Sequence, residues 1–203
     1  VNLDVLYGLP HQTVESVEAT VDLALTMRPD RLALFGYAHV PWMKTHQKMI
    51  DEAYLPDFGA RLAQSQAAAQ RILAAGYVAI GIDHFALPED DLALRAADGS
   101  LRRNFQGYTS DLAPALIGFG ASSIGNLPTG YVQNSGATAD YIRRIEAEGL
   151  AVVRGVAFTE DDRLRGYVIE RLMCSFAVDL DDLEARFGAR SLPILEQMRN
   201  AIR

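Results

Sequence analysis

The chemically capable side chains of this 203-residue sequence gather where apolar runs end. Asp4 lies inside a first run that breaks at Gly8-Leu9-Pro10, and a second run ends in Tyr37-Ala38-His39-Val40-Pro41. A third ends in Asp83-His84-Phe85, and a fourth in Gly118-Phe119-Gly120-Ala121-Ser122-Ser123. Between these last two lies Arg102-Arg103-Asn104-Phe105-Gln106-Gly107-Tyr108. A carboxylate accepts from ligand hydroxyls and amines, and an imidazole changes charge near neutrality. A guanidinium fork matches the paired oxygens of a carboxylate or phosphate. The set describes a polar rim suited to anions.

Each residue also has a structural reading. Asp4 can be a buried acid bonded to backbone amides, and His39 and His84 packed side chains. Arg102 and Arg103 can be solvated surface charge, and Gly118 and Gly120 a tight strand exit. Asp83-His84 lacks the His-Glu or Cys spacing of a zinc or iron site, so no metal ligand is assigned. No Ser/His/Asp set or phosphate loop is present, and no catalytic residue is assigned. Cys174 is the only cysteine and falls on the apolar face of a helical pattern, as a small buried hydrophobe would.

The elements that must hold these residues alternate. Residues 1–7 read as a strand; Thr13 then caps a helix with Val14, Val17, Val21 and Leu25 on one face, ending before Arg28-Pro29-Asp30. A strand over 31–38, an alanine-rich helix over 58–75 closed by Gly76, a strand over 77–83 and a strand over 115–120 follow. Apolar strands at helix-sized intervals predict an α/β fold: an incomplete, TIM-like half of a parallel β/α barrel in residues 1–135. Four strands cannot close a barrel, so a raw sheet edge is expected, through which copies of the chain would self-associate. Residues 136–203 are predicted as the start of a helical domain, with helices over 137–148, from the Thr159-Glu160-Asp161-Asp162 box onward, over 180–187 and over 191–202.

Composition narrows the function. Apolar residues make up 49% and charged residues 22%, and no apolar run reaches the roughly 20 residues of a bilayer span. A net charge of −7 without a basic stripe argues against nucleic acid as partner. One cysteine excludes an intrachain disulfide and fits a reducing, cytoplasmic setting. A start at Val1, directly in a strand-like run, is expected of a piece of a longer protein.

Taken together, the segments resemble a known family. Asn2-Leu3-Asp4-Val5-Leu6-Tyr7-Gly8-Leu9-Pro10-His11-Gln12-Thr13 is similar to the strand and loop of the coproporphyrinogen oxidase group of radical S-adenosylmethionine proteins, which includes oxidases and haem chaperones. Gly81-Ile82-Asp83-His84-Phe85-Ala86-Leu87-Pro88 and Arg103-Asn104-Phe105-Gln106-Gly107-Tyr108-Thr109 resemble the oxidase branch, as do Pro29-Asp30-Arg31-Leu32 and Tyr37-Ala38-His39-Val40-Pro41.

The resemblance implies a partial β/α barrel, a 4Fe-4S cluster held by three cysteines, and two S-adenosylmethionine molecules. It implies a deoxyadenosyl radical that takes hydrogen from two propionates of coproporphyrinogen III, each losing carbon dioxide to leave a vinyl group. Asp4, Ala38, Gln106 and Ile124 resemble positions that contact S-adenosylmethionine; Arg103, His39, Asp83, His84 and Tyr108 are the substrate candidates, Arg103 by its charge. The family is expected to be monomeric. With one cysteine the chain is expected to bind no cluster and to be inactive alone. The competing readings are a haem chaperone of the same family and an unrelated α/β-barrel module for another carboxylated or phosphorylated metabolite.

Overall fold

A computed structural model describes residues 1–201, which divide into two compact units: 1–110 with 173–175, and 111–172 with the residues from 176 on. In the first unit, β1 (Asn2–Tyr7) leads into α1 (Val14–Thr26), which Thr13 opens with a reciprocal capping box to Ser16. β2 (Arg31–Gly36) returns parallel to β1, with Asn2 opposite Arg31 and Tyr7 opposite Gly36. A long loop with two 3-10 turns leads to α2 (Phe58–Ala74), whose N-cap is Asp57. Val17 and Val21 of α1 and Ala68 and Ile72 of α2 are fully buried against Val5, Leu32 and Leu34. Alternate positions of both strands therefore face the helices, and their neighbours face away.

The third predicted strand departs from the parallel pattern. β3 (Val78–Ile80) is short, the chain reverses at Gly81, and β4 (His84–Ala86) pairs antiparallel with both β3 and β2, giving the order β1-β2-β4-β3. Gly81 has φ +56°, a left-handed conformation open to glycine, and this turn splits what reads in sequence as one continuous run. α3 (Asp91–Ala97) is capped by Asp90, whose carboxylate also takes the Arg31 guanidinium at 2.9 and 3.0 Å. β5 (Arg102–Asn104) and β6 (Gly107–Thr109) form a hairpin. Ile80, Ala86, Leu92 and Leu101 pack with Cys174, which is buried as its place in the helical pattern predicts.

In the second unit residues 115–120 form no strand; Leu116 makes one isolated antiparallel bridge to Asn126. The residues there hold a glycine-bent loop instead, with Gly120 at φ +99°. β7 (Ile124–Leu127), β8 (Gly130–Asn134) and, after α4 (Thr138–Glu148), β9 (Val152–Ala157) form an antiparallel sheet in the order β7-β8-β9. All six residues of β9 are exposed. α5 (Glu160–Ser175), α6 (Leu180–Phe187) and α7 (Leu192–Ala201) follow, with Leu164, Val168, Leu183, Ile194 and Leu195 as their shared core. Ile202, the end of the last predicted helix, and Arg203 lie outside the described residues. The α/β class followed by a helical carboxyl-terminal region is thus borne out.

Candidate active site

Strand register assembles the first part of the site. Asp4 pairs with Ala33, and Ala33 with His84, so the three side chains stand in one row on the sheet face turned away from α1 and α2. Asp4 is exposed, which overturns the reading as a buried acid, and accepts from Asn2 Nδ2 at 2.8 Å. The reversal at Gly81 leaves Asp83 beside Leu34, whose N–H donates to the Asp83 carbonyl at 2.8 Å. The antiparallel hairpin therefore still delivers Asp83 and His84 toward the carboxyl half of β2.

His84 is held from three sides. Its Nδ1 lies 2.7 Å from Asp83 Oδ1, and its ring meets Phe35 and Tyr108 edge-on, with centroids 5.7 and 5.1 Å apart. A carboxylate at Nδ1 favours a proton on that nitrogen and fixes the orientation of the ring. Tyr108 is fixed in turn: its hydroxyl accepts from the Ile82 N–H at 3.0 Å and donates to the Met173 carbonyl at 3.0 Å. Burial pushes the Tyr108 phenol up from its ordinary value, so it stays a neutral donor through neutrality. The Arg103 guanidinium sits 5.7 Å from the centre of the same ring. Asp83, His84, Tyr108 and Arg103 are thus contiguous, and Asp4 shares the face of His84.

The other candidates have surroundings of their own. His39 bonds through Nδ1 to the Tyr37 hydroxyl at 3.3 Å and through Nε2 to Glu52 at 3.1 Å. Ala38 is exposed, and its carbonyl is tied by Gln47, a buried side chain that also accepts from the Val40 N–H. Gln106 is exposed at the β5–β6 turn, and Ile124 begins β7 in the second unit.

Two residues that sequence patterns pass over organise the ends of β1 and β2. Gln64, 1% exposed, accepts from the Gly8 N–H at 2.9 Å and donates to the Gln12 carbonyl at 2.6 Å. Arg61 lays its guanidinium across Gly8 and Gly36, where an added Cβ would come within 3.2 Å of its Cζ and 3.0 Å of its Nη2 respectively. Neither follows a motif; the nearest signal is two glycines at the ends of successive strands.

Residues 158–203 match the family described as the HemN C-terminal domain. The oxygen-independent coproporphyrinogen III oxidase of Bradyrhizobium diazoefficiens is 52% identical over 196 residues, 97% of this chain and 44% of that protein. The chain belongs to the oxygen-independent coproporphyrinogen III oxidase family. Coproporphyrinogen III oxidase, anaerobic 1, of Cereibacter sphaeroides is 54% identical over 187 residues, 92% of this chain and 41% of that protein. Among solved structures, coproporphyrinogen III oxidase (HemN) of Escherichia coli, described as a radical SAM enzyme, matches with TM-score 0.88 and 38% identity over 95% of this chain and 44% of that one. The chain spans less than half the length of these relatives.

An iron–sulfur cluster does not fit the residues present. It needs several thiolates, and this chain has one cysteine, packed among Ile80, Leu92 and Leu101. Among the described residues no group of three His, Cys, Asp or Glu side chains is placed to hold a metal. No helix among them is long and apolar enough to cross a membrane.

Proposed function

We propose that the protein containing this chain oxidatively decarboxylates two propionates of coproporphyrinogen III to vinyl groups, in haem biosynthesis in the cytoplasm. The hydrogen-abstracting chemistry belongs to S-adenosylmethionine and a cluster carried outside these residues. The chain's own part is to orient the substrate. Arg103, stacked on Tyr108, presents a cationic donor to a propionate, with His84, held by Asp83, lining the same place, while the neutral Tyr108 fixes their spacing. Asp4, Ala38, Gln106 and Ile124 are proposed contacts for S-adenosylmethionine, with His39 at the margin of the substrate region. The 203 residues alone are proposed to be inactive, and the free outer edge of β1 to permit self-association.

The contiguous Asp83–His84–Tyr108–Arg103 cluster on the Asp4 side of the sheet carries this reading. The test is anaerobic turnover by the intact protein with S-adenosylmethionine and a reductant, following loss of coproporphyrinogen III. His84→Ala and Arg103→Met are each expected to lower kcat/KM by about 10-fold or more. Stoichiometric haem binding with no loss of coproporphyrinogen would sink the oxidase reading in favour of a haem carrier.

A further inference from the structure

We propose that Arg61 anchors a ligand carboxylate at the carboxyl ends of β1 and β2. Which carboxylate it holds rests on the reaction proposed above; that it holds one rests on the following geometry. Arg61 lies in the first turn of α2 and is half-buried. Its guanidinium is seated over Gly8 and Gly36, where any larger residue would intrude on it. Both strands run parallel into this end, the end at which β/α folds present ligands.

The guanidinium makes no ion pair or side-chain hydrogen bond among the described residues. The acids of the loop before α2 have partners of their own: Asp57 Oδ1 accepts from the Ala60 N–H at 2.8 Å, Asp51 Oδ1 from the Ala53 N–H at 3.0 Å, and Glu52 pairs with His39. A fork of five donors, partly withdrawn from water and facing no acid, is matched to the two oxygens of a carboxylate. Lys44 and Lys48 share the loop that enters α2 with Asp51, Glu52 and Asp57, so the loop adds no net positive charge and the anion preference comes from the Arg61 fork itself.

Two carboxylates meet that description in the proposed reaction: a propionate of the tetrapyrrole and the methionyl carboxylate of S-adenosylmethionine. Equilibrium binding to the intact protein separates them, with coproporphyrin III, its uncharged tetramethyl ester and S-adenosylmethionine as probes. For Arg61→Met, binding of one carboxylated probe is expected to weaken about 10-fold to 100-fold, with the tetramethyl ester unchanged and Arg61→Lys intermediate. Loss confined to coproporphyrin III assigns a propionate, and loss confined to S-adenosylmethionine assigns its methionyl group. A folded Arg61→Met protein that binds both probes as the parent does overturns the proposal. A parent protein that binds coproporphyrin III through Arg61 yet never decarboxylates coproporphyrinogen refutes the reaction and leaves the anion site standing.

Discussion

Gly81→Ala tests how tightly the turn that delivers Asp83 and His84 is locked to Tyr108. A Cβ built on Gly81 would lie 2.1 Å from the Tyr108 hydroxyl and 2.2 Å from its Cζ, well inside any contact distance. The ring cannot yield without giving up its bonds to the Ile82 N–H and the Met173 carbonyl, worth a net of about 1–3 kcal/mol together. Holding alanine at φ +56° adds roughly 1 kcal/mol of backbone strain. The expected loss is therefore about 2–4 kcal/mol, read as a shift of the urea midpoint at constant slope. A double-mutant cycle isolates the cause. In a Tyr108→Ala background the clash is gone and Gly81→Ala should cost only its roughly 1 kcal/mol of strain, a coupling of about 1–3 kcal/mol. Additive losses, or a single-mutant cost below about 0.5 kcal/mol, would show that Tyr108 does not brace this turn.

Gln64→Leu keeps the side-chain volume but strands the Gly8 N–H and the Gln12 carbonyl, so a loss of about 2–4 kcal/mol is expected by urea titration. Unchanged stability would mean that water replaces the amide. Burial also raises the Tyr77 and Tyr108 phenols, the former donating to the Pro29 carbonyl at 2.6 Å. Because the folded pKa lies above that of the unfolded chain, this contribution is complete below about pH 10 and drains away as pH climbs toward the folded value. Melting temperature should fall above about pH 10, less steeply in Tyr77→Phe/Tyr108→Phe; parallel profiles for parent and variant refute the assignment.

Much of the first unit is legible in its sequence because local signals and tertiary packing agree there. Thr13, the spacing of Val17 and Val21, and Gly76 after α2 mark boundaries that the structure keeps. Residues 77–83 mislead because an apolar run does not say whether it continues or turns back, and the turn rests on Gly81 alone. Residues 115–120 mislead for the converse reason: they are apolar, but two glycines and a single bridge leave them without a ladder. At the site, His84 and Tyr108 are recognisable by residue type, while their mutual contact depends on a hairpin distant in sequence. Arg61 is invisible as chemistry until its two glycines are seen beneath it.

The open outer strand of the second unit has a consequence for handling the chain. β9 presents Val152, Val153 and Val156 on a sheet margin with no further neighbour, which is the composition of a segment prone to amyloid-like stacking. Arg154 interrupts it, its Nε tied to Gln133 Oε1 on β8 at 2.9 Å. That one cation, the single charge of the strand, serves as gatekeeper, and neutralising it should lower the solubility of the isolated chain.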